Sequence, residues 1–220
     1  MKSNLRNSRL IAFTLIELIV VVAVLALLAV TFLPAAIGDD LLLARQRAQR
    51  INCVNNLKQV GISFKVWALD NDDKYPMTVS NRLGGTLEFV AEGNAFRHFQ
   101  VMSNELTTPK LVICPADDRK QASSFADLEN KTVSYFVGLD ANDSNPAAFL
   151  SGDRNITNGV APVKTVLALN PEIPTGWTET IHINQGNVGL ADGSVQQCSS
   201  LRLQQAVQNA GATNRIAIPE

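Results

Sequence analysis

Residues 13–33 read FTLIELIVVVAVLALLAVTFL, an apolar run interrupted by a single acid, Glu17. As a helix rising ~1.5 Å per residue, the run covers about 30 Å, the thickness of a bilayer core. An ionisable group inside such a segment is costly and calls for a partner or a task. The residues before it carry Lys2, Arg6 and Arg9 and no acid, which puts them on the cytoplasmic side by the positive-inside rule. The run is longer than the roughly 7–15 residues of a signal-peptide core, and no good small-x-small cleavage site follows it. The segment therefore reads as one that is processed and then assembled against copies of itself.

With its flanks, SRLIAFTLIELIVVVAVLALLA, this stretch closely resembles the N-terminus of type IV pilin-like proteins, including type II secretion pseudopilins. The resemblance implies that a prepilin peptidase cuts between Ala12 and Phe13 and methylates the new amine, which makes Glu17 the fifth mature residue. Ala12 departs from the family, which usually has Gly before the cut. Buried among apolar groups, the Glu17 carboxylate would be protonated or paired with a cation. The free amine of Phe13 on a neighbouring chain is the nearest cation that processing creates. Such a pair would set the axial offset between subunits. The plainer reading is a signal anchor whose Glu17 reaches the membrane interface.

The chain has 220 residues, is 46% hydrophobic and carries a formal net charge of −1. Without the three leader cations, 16 basic residues face 20 acidic ones, a balance of −4. No dense basic stripe exists to displace counterions, so nucleic acid is not expected as a partner. Cys53, Cys114 and Cys198 fall in the part expected to face the periplasm, where disulfides form. A Cys114–Cys198 bridge would close a long loop and contribute roughly 4 kcal/mol. Three small buried hydrophobes is the other reading. No CxxC or Cys/His metal spacing is present, and neither a metal nor a cofactor is expected.

Along the chain the pattern divides into a basic leader (1–12), a transmembrane and assembly helix (13–37), a stalk helix continuing into the head (38–69) and a globular head (70–220). Pro34 removes a backbone donor and Gly38 weakens the helix further, so a kink or a helix end is expected there. Periodicity then resumes, with Leu41, Ala44, Ala48, Ile51, Val54, Leu57, Gly61, Phe64 and Ala68 on one face. DNDDKYP (70–76) ends the helix at Pro76. It reads as a solvated loop, because Lys74 stands where a calcium loop wants an oxygen. A short helix over 95–106, capped by Asn94, leaves His98 exposed off its apolar face. Short β runs follow at 111–114, 133–137, 163–169, 187–190 and 194–197. A helix over 201–209 and an edge strand at 216–218, stopped by Pro219, close the chain.

His182 and the Asp192-Gly193 pair stand in IHINQGNVGLADGSVQQ, a spacing that resembles the C-terminal motif of pilin-like proteins of planctomycete- and verrucomicrobia-type bacteria. The resemblance extends to CVNNLKQVG (53–61), ICPADD (113–118) and SYFVGLDA (134–141). Physically, Ala191-Asp192-Gly193 is a hairpin turn, and His182 is placed to donate to Asp192 or a nearby carbonyl, a structural role. No third metal ligand stands at good spacing, and no nucleophile elbow or oxyanion pattern accompanies Ser194.

The fold class expected is α+β: a long N-terminal transmembrane and stalk helix packed on a small antiparallel sheet, the pilin-like α/β roll. The function implied is a structural, non-enzymatic subunit of a type II secretion or type IV pilus-like filament. Its partners would be copies of itself or other pilin-like subunits, the prepilin peptidase, the inner-membrane assembly platform and the lipid bilayer. It would sit in the bacterial inner membrane as a single-pass protein, leader cytoplasmic and head periplasmic, and pass into the filament on assembly. The alternative keeps the anchor and makes the head a binding module, with Trp67, Trp177 and Tyr75 stacking on sugars.

Overall fold

The computed structural model describes residues 14–161, 163–211 and 214–220, with the backbone alone across 31–39. The leader, Ala12 and Phe13 lie outside the described residues, and so does the expected cleavage between them. Helix α1 runs Leu15–Leu69, 55 residues. It opens on Thr14, whose Oγ1 and amide both donate to Glu17 Oε2, at 3.1 and 3.3 Å, while the Glu17 amide donates back to Thr14 Oγ1 at 3.4 Å. Thr-x-x-Glu is a capping box, which satisfies amides that a helix start otherwise leaves unpaired. The helical assignment continues through Pro34 and Gly38, so the helix does not end there. Their side chains lie outside the described residues.

Among the described residues no helix is long and apolar enough to cross a membrane. This corrects the transmembrane helix expected over 13–37, and with it the single-pass inner-membrane placement. The described apolar side chains of α1 are those from Leu15 to Val30, around Glu17. From Asp39 onward, charges recur along the helix at Asp40, Arg45, Arg47 and Arg50.

The chain forms two compact units, Met1–Arg45 and Gln46–Glu220. In the first, every described side chain from Thr14 to Val30 is exposed. The second unit contains a six-stranded antiparallel sheet in the order β4-β8-β1-β2-β6-β7. Its strands are β1 (Tyr135–Gly138), β2 (Phe149–Asp153), β4 (Val166–Leu169), β6 (Gln185–Leu190), β7 (Val195–Ser199) and β8 (Asn214–Ala217). A small pair, β3 (Ile156–Thr157) and β5 (Gly176–Trp177), stands apart from it.

Both faces of the sheet are covered, so β1 and β2 are buried at every position rather than at alternate ones. Tyr135, Val137 and Leu150 join Cys53, Leu57, Val60, Phe64 and Trp67 of α1 in one core. Phe136, Phe149, Val188 and Ile216 point the other way and meet Leu203 and Val207 of α4 (Ser200–Ala210). Of the expected α1 stripe Leu57, Gly61, Phe64 and Ala68 are buried, whereas at its start Cys53 is buried and Ile51 is 56% exposed. Phe64 anchors the helix, meeting Tyr75 edge-on at 6.0 Å and Phe99 at 6.2 Å.

Other differences have local causes. The expected strand at 111–114 is instead a 3-10 turn over Pro109–Val112, with Pro109 in its first turn and Thr108 Oγ1 accepting from the Lys110 amide. The helix expected over 95–106 divides into α2 (Ala95–Gln100) and α3 (Ser103–Leu106), as Met102 N donates three residues back to Phe99 O. Asn94 binds Glu92 instead of capping α2. His98 is fully buried, not exposed, with Nδ1 2.7 Å from Thr86 Oγ1. The last strand is central rather than an edge, because β8 pairs with β1 on one side and β4 on the other before Pro219 is reached.

Candidate metal centre

Helix α1 places Gln49, Cys53 and Asn56 at steps of four and three, which puts them on one face. Gln49 Nε2 donates to Pro115 O and Asn56 Nδ2 to Ile113 O, each at 3.0 Å. Two helix amides thus grip the backbone on either side of Cys114 and bring Cys53 over it. The register of β1 with β2 pairs Tyr135 with Asp153, so both side chains face the same helix. Arg154 forms a bidentate pair with Asp117, Nε to Oδ2 and Nη2 to Oδ1 at 2.8 Å. That pair ties the segment carrying Cys114 to the strand end carrying Asp153.

His182 arrives from the loop before β6. Asn155 Nδ2 collects three carbonyls of that loop, Thr178 (3.0 Å), Ile181 (2.7 Å) and Gln185 (3.1 Å). His182, Ile183 and Asn184 have φ of 55°, 50° and 55°. Consecutive left-handed residues with side chains are strained, and such strain gathers at functional sites. Here it turns the imidazole inward, leaving the His182 side chain 3% exposed.

The result is a buried quartet. One donor atom from each of Cys53, Cys114, Asp153 and His182 lies within 4.8 Å of the others. Cys53 Sγ donates to Asp153 Oδ1 at 3.0 Å and lies 3.2 Å from the Tyr135 hydroxyl. Cys114 Sγ is 3.4 Å from His182 Nε2, which is 3.6 Å from Asp153 Oδ2. Asp153 Oδ2 also accepts from the Asn187 amide at 2.7 Å and from Asn187 Nδ2 at 2.9 Å.

Electrostatics divides the two thiols. Burial pushes Cys53 well up, while Cys114 is drawn down to about 5 by the adjacent Cys53 side chain and by His182, with the Ala116 amide also directed at its sulfur. Asp153 is pushed up to about 7 by complete burial. Burial pulls the His182 imidazole down, but Cys114 and Asp153 outweigh it and leave the net shift upward. Arg50, one turn before Cys53 and bonded to Gln185 Oε1, feels the charge of Asp153 and Cys53.

The orientation of the imidazole separates two chemistries. A nucleophilic Cys–His–Asp relay uses opposite ring nitrogens for thiol and carboxylate. Here the same atom, Nε2, faces both Cys114 and Asp153. Three donor separations are 3.0–3.6 Å, through both carboxylate oxygens of Asp153, and one donor atom from each of the four residues lies within 4.8 Å of the others. Tetrahedral zinc with donors at ~2.0–2.3 Å has donor-to-donor edges of about 3.3–3.8 Å.

The structure gathers Cys53, Cys114 and Asp153 around His182, which no spacing in the sequence indicates, and it relocates several residues. His182 does not pair with Asp192, whose Oδ1 accepts from the Ser194 amide at 2.7 Å inside the β6–β7 turn, with Gly193 at φ 88°. The Cys114–Cys198 bridge is also corrected: all three thiols are free, Cys114 faces Cys53, and Cys198 packs in the opposite core. Trp67, Trp177 and Tyr75 are 6%, 5% and 2% exposed, so the aromatic platform for sugars is absent. Glu17 caps α1 and stays exposed. A cleft of about 450 Å³ lies elsewhere, lined by Val90, Val160, Leu167, Ile173 and Arg215. The Arg215 guanidinium in it is engaged by Asp140.

Sequence reading missed Cys53 and Asp153. The available signal was that CVNNLKQVG, ICPADD and the His182 motif each hold one donor type. Comparison with known proteins finds no matching family model, no matching curated protein and no matching solved structure.

Proposed function

We propose that this chain is a pilin-like structural subunit, trimmed between Ala12 and Phe13, that builds a filament of the type II secretion or type IV pilus kind. Assembly runs through the N-terminal part of α1, against copies of the same chain or other pilin-like subunits. The observation that carries this reading is the uncovered apolar helix. Leu15, Leu25 and Val30 are 78%, 60% and 74% exposed, and the described side chains from 14 to 30 are exposed as well. A continuous apolar surface of this kind marks an interaction site, and like helices side by side supply the cover.

Glu17 gives such a bundle its register. Packing the helices desolvates the carboxylate, and an unpaired buried charge is expensive. The amine created at Phe13 is a cation at the matching end of the neighbouring helix. Because Glu17 also closes the capping box, the test must separate charge from cap. Glu17→Gln keeps the capping geometry and removes the charge. Both Glu17→Gln and Glu17→Ala are expected to accumulate in cells and to be missing from sheared filament fractions. Wild-type incorporation of Glu17→Gln would refute charge pairing as the basis of assembly.

A further inference from the structure

We infer that Cys53, Cys114, Asp153 and His182 bind one divalent zinc ion as a closed structural centre that clasps α1 to the sheet. The inference stands independently of the filament reading. Four donors come from four distant segments: the helix, the turn after Pro109–Val112, the end of β2 and the strained loop before β6. Two sulfurs, one imidazole nitrogen and one carboxylate oxygen make a donor set that suits zinc among the common divalent ions.

The surroundings are those of a metal site. Asn187 holds Asp153 Oδ2 through two N–H groups, leaving Oδ1, the atom now taken by the Cys53 thiol, to turn to the ion. Tyr135 stands 3.2 Å from the Cys53 sulfur and the Ala116 amide is directed at that of Cys114, the outer-shell donors that orient thiolate ligands. Ion entry releases to solvent the Cys53 thiol proton, the proton shared between Cys114 and His182, and any proton held by Asp153, and leaves no sulfur redox change. Two thiolates and one carboxylate around a dication leave one net negative charge, with the Arg50 cation nearby to offset it. All four positions of a tetrahedron are filled from the chain and the donors are buried, so no position is left for a catalytic water.

The test uses the purified full-length chain, reduced with a phosphine and stripped with a chelator. Reloading with zinc should restore one ion per chain, read by elemental mass spectrometry, and raise the thermal midpoint by about 10 °C or more. Cobalt(II) in place of zinc should show the visible bands of tetrahedral cobalt and a thiolate charge-transfer band, a readout that needs no variant. Cys53→Ser should lose the charge-transfer intensity in part and retain zinc at least ~10-fold more weakly, and Asn187→Ala should weaken it by about 10–100-fold. Cys198→Ser should behave as wild type. Octahedral cobalt without charge transfer, full zinc retention in a Cys53→Ser/Cys114→Ser double variant, or a Cys53–Cys114 disulfide in freshly isolated protein that takes up no zinc after reduction would each overturn the inference.

Discussion

His98 shows how much one buried imidazole can govern. It is fully buried against Thr86, its Nε2 has no hydrogen-bond partner, and burial pulls its pKa down to about 4. Between pH ~6.5 and 4 the unfolded chain binds a proton that the folded one refuses. The stability from keeping His98 neutral is therefore complete above pH ~6.5 and drains away as pH falls toward 4, by up to about 3 kcal/mol. Asp153 in metal-free protein pulls the opposite way across this range, since its folded pKa is raised to about 7. The difference in unfolding free energy between wild type and His98→Gln isolates the first effect. It should shrink steadily from pH 7 to pH 4, and a constant difference would show that His98 takes up its proton without cost. Nothing in the local pattern reveals this burial. His98 lies off the α2 apolar stripe, and what covers it comes from a separate segment at Thr86. Cys53 and Asp153 were illegible for the same reason: donors spaced by tens of residues leave no short motif.

At the scale of elements, periodicity located more than it described. The helices near 95–106 and 201–209 and the turn at Asp192-Gly193 correspond to α2, α3, α4 and the β6–β7 turn. Long-range pairing leaves no local signal, so the pattern at 216–218 reads as an edge strand, whereas β8 lies between β4 and β1. The shift at the start of the buried α1 stripe, from Ile51 to Cys53, has a similar origin. A helix laid on a sheet buries the side its partners dictate, and Gln49 and Asn56 settle that by gripping the Cys114 turn. Backbone proximity within the sheet gives a sharp prediction. A Cβ on Gly138 would sit 1.7 Å from Phe149 O, whereas one on Gly189 would find its nearest neighbour at 3.4 Å. Gly138→Ala must push β1 away from β2 and should cost about 3 kcal/mol or more, against less than ~1 kcal/mol for Gly189→Ala. Urea denaturation of the two variants reads this directly, and equal stability would mean the strands separate freely.

At the scale of the whole molecule, the two units pose different physical problems. Gln46–Glu220 carries its own cores on both faces of a sheet, with a buried donor quartet at the seam between helix and strands. Met1–Arg45 offers an apolar helix whose described side chains through Val30 are exposed, opened by a capping box around Glu17. For the exposed helix of Met1–Arg45 the cover proposed is a processed copy of the same helix. The most direct test is the intact mass and N-terminal peptide of the protein isolated from its own cells. The account predicts a chain beginning at Phe13 with a methylated amine. A chain that still begins at Met1, unmethylated, in cells possessing the prepilin peptidase would contradict it.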